Sequence, residues 1–214
     1  VERHGTEFQK ESFLPRFATG ELRGGIGLTE PDAGTDLQSI RTTATRQGKS
    51  YIINGTKTWI TNGVKGTCLA ILTKTDPTAS PGHKGMSLFL CEKGEGFSVG
   101  KKLKKLGYRS IDSGELIFQD FQVPEENLIG AEEGRGFHQI VGGLELGRIN
   151  IAARGAGMAN GATKMALAYA KDRKTFQKPI AEHQAIQLKL AEMSTRAEAS
   201  RLLVEQAAQK FDLN

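Results

Sequence analysis

Two short stretches of this 214-residue chain combine residue types and spacings that could hold a ligand. The first is Gly27-Leu28-Thr29-Glu30-Pro31-Asp32-Ala33-Gly34-Thr35-Asp36, which follows a strand-like run and breaks it. Pro31 stops ladder pairing, and Gly34 allows backbone geometries closed to other residues. Consecutive amides in such a turn form an anion-binding concavity, to which Thr35 adds a hydroxyl. A pyrophosphate would suit it, yet a capped surface turn uses the same residues. The second stretch runs from Tyr51 to Thr61. Asn54-Gly55 between two β-rich runs predicts a two-residue type I′ turn, with both central residues at positive φ. That turn pairs Ile53 with Thr56 and Tyr51 with Thr58. Alternation then puts Trp59 and Thr61 on one face and Ile60 on the other. The pair is either a core Trp beside a strand Thr, or a flat aromatic platform with a hydrogen-bonding hydroxyl.

A third feature lies on a predicted helix. Glu145 and Arg148 are three residues apart and share its face, as a surface ion pair or as ligand contacts. The same helix carries Gly142, Gly143, Gly147, Gly155, Gly157 and Gly161. Each costs about 1 kcal/mol of helix propensity relative to Ala. Six in one helix make sense where another backbone or a ligand approaches closely.

The elements that must position these residues fall into three zones. Residues 1–22 read as the end of a helical region, with Phe8, Phe13, Leu14 and Phe17 at helix-like intervals before Gly20. The opening residues read as mid-helix, and Val1 stands where a Met would begin a chain. Residues 23–130 change period. Short β-branched and aromatic runs at 24–29, 40–46, 50–53, 56–61, 67–73, 86–91, 96–103 and 114–121 are separated by turn residues, which predicts an antiparallel barrel or sandwich. Strand and helix do not alternate, so a doubly wound parallel sheet is not expected. Residues 131–214 predict two long helices, 135–172 and 180–211. In the second, Ile186, Leu190, Met193, Ala197, Val204 and Phe211 form one stripe of a helical bundle that two helices alone cannot complete. The fold class is therefore α+β.

Composition narrows the function classes. The apolar run Cys68–Leu72 is far too short to cross a bilayer, and no basic-then-apolar segment opens the chain. Cys68 and Cys91 sit in strand-like apolar sequence and read as reduced core residues rather than a disulfide or metal framework. The net charge is +5. The basic residues are scattered apart from Lys101, Lys102, Lys104 and Lys105. That cluster lacks interleaved aromatics and reads as a solvated strand face, with capacity to attract a phosphate-bearing ligand but no sign of nucleic-acid binding.

Taken in order, the motifs acquire specificity. Gly27-Leu-Thr-Glu-x-x-Ala33-Gly-Thr-Asp-x-x-Ser39 and Ile53-Asn-Gly-x-Lys-x-Trp59-Ile-Thr61-Asn-Gly are followed by Asp120-Phe-Gln-Val-Pro124, Gly134-x-Gly-Phe137, Arg173-Lys-Thr-Phe176 and His183-Gln184. This succession resembles the acyl-CoA dehydrogenase family across essentially the whole chain. The resemblance implies a flavin enzyme that binds FAD between a β-barrel domain and a helical bundle and forms a homotetramer or dimer. It also implies electron transfer to an electron-transferring flavoprotein or similar acceptor, in the cytoplasm or, in a eukaryote, the mitochondrial matrix.

By the same resemblance, Leu28 and Thr29 contact the flavin ring edge and Gly34 and Thr35 lie near the pyrophosphate. Trp59, Ile60 and Thr61 lie along the ring. Arg173, Thr175, Phe176 and Gln184 reach a neighbouring subunit's FAD, while Thr35, Glu145 and Arg148 contact the acyl-CoA.

Two departures stand out. Gln177 occupies a place where relatives carry Gly. The glutamate base such chemistry needs falls, in a minority of members, at the position of Gly147, which has no side chain; in most it lies downstream. The chain therefore reads as a piece of such an enzyme without its base. The alternatives are a non-catalytic FAD-binding or scaffold subunit, an acyl-CoA oxidase-type flavoenzyme, or a flavin monooxygenase of similar fold.

Overall fold

The computed structural model describes residues 1–213, which form two compact units that divide between Val141 and Gly142. In the first unit, α1 (Glu7–Thr19) begins at its own cap: the Thr6 hydroxyl accepts from the Gln9 amide, and the Gln9 side chain returns to the Thr6 amide. The opening residues are a turn closed by Gly5 onto Val1, not the expected mid-helix. Gln9, fully buried, also donates to the carbonyls of Glu126 and Leu128, both at 2.7 Å, which ties α1 to the segment after the last long strand.

Seven strands follow: β1 (Gly24–Gly27), β2 (Thr43–Gln47), β3 (Ser50–Thr61), β4 (Cys68–Lys74), β5 (Met86–Glu92), β6 (Phe97–Lys102) and β7 (Ser113–Pro124). They form one sheet in the order β1-β4-β2-β3-β7-β6, with β5 on the other side of β4. The fold class is α+β as expected, but the sheet is mixed rather than antiparallel. β1 runs parallel to β4, from Gly24 opposite Cys68 to Gly27 opposite Ile71.

The predicted turn at Asn54-Gly55 is absent. β3 runs straight through it, and the hairpin instead turns at Gly48-Lys49, with Gln47 paired to Ser50 and Ile53 paired to Ala44. Gly55 sits at a bulge at φ 147°, where a Cβ would come within 2.5 Å of the Thr42 hydroxyl. Asn54 brackets that bulge by exchanging hydrogen bonds with Asp120 on β7.

Alternation along β4 and β5 builds a core on each face. Leu69, Ile71, Phe89 and Cys91 pack with Tyr51, Ile53, Ile60, Leu116 and Phe121. Cys68, Leu72, Met86, Leu88 and Leu90 pack with Phe13 of α1, Ile40 and Ile140. The two cysteines are free and buried, as expected, and they lie on opposite faces of the sheet. Burial pushes the Cys68 thiol up to about 12 and holds Cys91 well above its ordinary value. Lys101 and Lys102 lie toward the open end of edge strand β6, a placement that discourages edge-to-edge pairing.

In the second unit, most of α2 (Gly136–Asp172) is joined to α3 (Gln184–Asp212) by a small hairpin, β8 (Lys174–Thr175) and β9 (Lys178–Pro179). Ile186, Leu190, Met193, Val204 and Phe211 are half-buried and Ala197 is buried, so the predicted stripe is the covered one. Leu188, Leu202 and Leu203 remain exposed. The six helical glycines of α2 have open space where a Cβ would stand. Within this chain the close approach on α2 is at Gly136, where a Cβ would be 2.6–2.7 Å from Ser87 and Leu88 backbone.

Candidate functional site

The end of β3 is irregular in a way that matters. Register against β7 shifts between Lys57 and Ile60, and Trp59 takes a left-handed φ of 61°. Trp59 is 59% exposed and Thr61 is exposed, while Ile60 between them is 2% exposed and belongs to the core. Trp59 and Thr61 do share the outward face. They reach it through a bulge, not through the hairpin register expected from Asn54-Gly55. Beyond Thr61 the chain is pinned: the Asn62 amide donates to the Asp112 carbonyl, its side-chain amide donates to the Gly24 carbonyl at 2.7 Å, and the Val64 amide donates to the buried Asp112 carboxylate.

The loop after β1 lies against this strand end. The Thr58 amide donates to the Thr29 carbonyl at 2.8 Å, which sets Leu28 and Thr29 beside the Trp59 backbone. A Cβ at Gly25 would fall 2.5 Å from the Thr61 carbonyl, so only glycine lets β1 pass there. Within the loop, Glu30 and Ala33 exchange backbone hydrogen bonds around Pro31-Asp32. Asp36 caps the short turn Leu37–Ser39 by accepting from the Gln38 amide and the Ser39 hydroxyl. Gly34 and Thr35 stay exposed between these fixed points. Gly34 has neither a left-handed φ nor a neighbour within 4 Å of a would-be Cβ. Its backbone freedom, expected to matter, is not what this chain uses there.

The sequence motifs contained Lys57 and Glu30 without giving either a role. Both are buried. Lys57 Nζ donates to Glu30 Oε1 at 2.8 Å and to the Leu28 carbonyl at 3.0 Å. Glu30 also accepts from the Arg41 and Thr42 amides and the Thr42 hydroxyl. Burial pulls the Lys57 ammonium down to about 8 against the raising effect of Glu30. Burial pushes the Glu30 carboxyl up, but the Lys57 charge and these hydrogen bonds outweigh it, and the net displacement is downward. A lysine between two strand-facing threonines and a glutamate before a proline were the available signals.

In the second unit, Arg173, Thr175, Phe176 and Gln184 gather on and beside the β8–β9 hairpin. The Thr175 hydroxyl and His183 Nε2 are 3.0 Å apart, and the Ile180 amide donates to the Arg173 carbonyl. Phe176 and Gln177 occupy the two turn positions at φ 49° and 65°, and Phe176 is 89% exposed. Glu145 and Arg148 are both exposed on α2 and make no ion pair with each other, so that reading of the pair is set aside. Among the described residues no cluster of three or more His, Cys, Asp or Glu could hold a metal, and no helix is long and apolar enough to cross a membrane.

Residues 25–121 match the family model for the acyl-CoA dehydrogenase middle domain, and residues 134–214 match the model for the C-terminal domain. The chain belongs to the acyl-CoA dehydrogenase family. It is 46% identical over 205 residues to an acyl-CoA dehydrogenase of Bacillus subtilis (strain 168), a match covering 95% of this chain and 53% of that protein. It is 45% identical to the short-chain-specific acyl-CoA dehydrogenase of Clostridium acetobutylicum, over 97% of this chain and 54% of the relative. The solved structure of butyryl-CoA dehydrogenase from Megasphaera elsdenii superposes with a TM-score of 0.92 at 41% identity, covering 99% of this chain and 55% of that one. The chain thus spans about half the length of the curated relatives it matches. The acyl-CoA dehydrogenase middle-domain match covers the loop, the Trp59–Thr61 strand end and the buried Lys57–Glu30 pair in one continuous segment.

Proposed function

We propose that the protein to which this chain belongs is an FAD-dependent acyl-CoA dehydrogenase, introducing a double bond between Cα and Cβ of an acyl-CoA thioester. The observation that carries this reading is Trp59 and Thr61 held outward around a core Ile60, beside the Leu28–Thr35 loop. The donor set fits FAD: a flat exposed indole, a hydroxyl on the same side, and an exposed Gly34-Thr35 turn for phosphate oxygens. Bound there, FAD would supply the acceptor for the hydride that leaves Cβ.

The chain's own residues take the positioning roles. Trp59 would lie against the ring, with Ile60 fixing the strand beneath it, and Thr61 would donate a hydrogen bond to the ring. Leu28 and Thr29 meet the ring edge, while Gly34 and Thr35 meet the pyrophosphate. Arg173, a guanidinium suited to phosphate, acts with Thr175, Phe176 and Gln184 toward the FAD of a neighbouring subunit. Thr35, Glu145 and Arg148 receive the pantetheine or nucleotide part of the thioester. The α-proton needs a carboxylate base, and Gly147 supplies none; the base is assigned to a part of the parent protein outside these residues. The electrons so gained would go to an electron-transferring flavoprotein or similar acceptor, and the assembly is proposed to be a homotetramer or dimer.

The test uses the intact natural protein, FAD, acyl-CoA substrates of graded length and an artificial electron acceptor. Turnover is expected, and Trp59→Ala is expected to weaken FAD binding about tenfold, as loss of an aromatic contact worth about 1.5 kcal/mol implies, and so to lower the flavin-to-protein ratio left after dialysis. An unchanged ratio overturns the platform assignment. Fast oxygen consumption by the reduced flavin, without need of the acceptor, identifies an acyl-CoA oxidase instead.

A further inference from the structure

The buried Lys57–Glu30 pair calls for an explanation that stability does not supply. Taking two charges out of water costs several kcal/mol per ion, and apolar residues of similar size commonly serve a core equally well or better. The Lys57 and Glu30 side chains are 0% and 6% exposed. What sets them apart from a core filler is where their hydrogen bonds go. Lys57 reaches the Leu28 carbonyl, and Glu30 reaches the amides of Arg41 and Thr42 and the Thr42 hydroxyl. With the Thr58 amide on the Thr29 carbonyl and the Glu30–Ala33 exchange, backbone groups at 28, 29, 30 and 33 are all held. The exposed Gly34-Thr35 turn hangs directly from that held segment. Lys57 itself is two residues before Trp59, on the strand whose end forms the platform.

We propose that Lys57 and Glu30 are positioning residues for the flavin: their buried ion pair fixes the Leu28–Ala33 backbone in the shape that the ring edge and pyrophosphate meet. This rests on the FAD reading above. Neither side chain touches the ligand. Both act through the loop and through the strand that carries Trp59 and Thr61.

The experiment measures the FAD dissociation constant and the thermal midpoint of the intact natural protein and three variants. In Lys57→Met the Leu28 tether is lost and Glu30 is left as an unpaired buried carboxylate; both affinity and midpoint are expected to fall. In Lys57→Met with Glu30→Gln the orphaned charge is gone, so the midpoint returns toward wild type. FAD affinity is expected to stay about tenfold weaker, because the Leu28 carbonyl is still unheld. A pair that only stabilises the core would give back affinity and midpoint together, and that result overturns the proposal. Thr42→Val keeps both charges and the side-chain shape while removing one hydrogen bond to Glu30; it decides between the two roles should the lysine variants not fold. It is expected to weaken FAD about threefold, and wild-type affinity there counts against the proposal. Failure of the wild-type protein to bind FAD at all is a different outcome, which removes the flavin reading itself.

Discussion

Lys57 and Glu30 are both displaced downward, so each makes stability rise with pH, in two separate windows. The Lys57 ammonium is pulled down from 10.5 to about 8 by burial, so between those values the unfolded chain holds a proton that the native chain has released. Stability therefore rises with pH across that window and levels off above it. The Glu30 carboxyl is displaced below 4.5, so its contribution is fully present above that value and is lost as pH falls through the native one. The groups facing the pair are the Leu28 carbonyl, the Arg41 and Thr42 amides and the Thr42 hydroxyl, none of which titrates in this range. The expected outcome is a stability difference, wild type minus the Lys57→Met, Glu30→Gln variant, that is flat between about pH 5 and 8. It should rise by up to about 3 kcal/mol toward pH 10.5, given 1.36 kcal/mol per unit of displacement. Urea titrations at a series of pH values measure it. A difference that stays flat to about pH 10 and declines only above it would mean that attraction to Glu30, not desolvation, controls the lysine.

Elements show where the sequence could be read and where it misled. The helix spans at 136–172 and 184–212 follow from apolar periodicity, and most strands lie within a few residues of their runs, because both patterns are local. Asn54-Gly55 misled because Asn-Gly signals a turn only where the chain is free to reverse. Here Thr42 crowds Gly55, and Asn54 is occupied by Asp120 across the sheet, two long-range facts that no short window contains. The parallel β1–β4 pairing is invisible for the same reason. The residues proposed to meet the flavin were legible only as ordered motifs, whereas the Lys57–Glu30 pair needed the fold to bring the two together. At the β8–β9 hairpin the misfit runs the other way. Two-residue turns of this kind need positive φ at both positions, and Gln177 holds φ 65° with a side chain that disfavours it. Gln177→Gly is expected to stabilise the hairpin by about 1 kcal/mol, less the extra freedom glycine has when unfolded. Slower proteolysis between Lys174 and Pro179 would register the gain, and faster cleavage would show that the glutamine side chain itself holds the turn.

At the scale of the whole molecule the two units differ in how much apolar surface they bury. The first unit has a core on each face of β4 and β5, where burying one Leu, Ile or Phe side chain is worth about 1.5–3 kcal/mol. Among the described residues of the second unit Ala170 and Ala197 are the buried apolar ones, while Leu146, Ile151, Met158, Met165, Leu188, Leu202 and Leu203 are exposed. Helices in proteins draw most of their stability from packing an apolar face, and α2 and α3 in this chain leave much of that face uncovered. Local opening free energies should track this difference. In hydrogen–deuterium exchange on the 214-residue chain, amides of α3 are therefore expected to exchange at least about a hundredfold faster than those of β4, a gap of about 3 kcal/mol. On the proposal that the parent protein continues beyond these residues, as the length of the relatives suggests, its α3 amides should slow toward the β4 rate. Equal protection of α3 and β4 in the 214-residue chain would show that the helices are stable through their own propensity and intrahelical ion pairs, such as Arg201 with Glu198 and Glu205, without any cover.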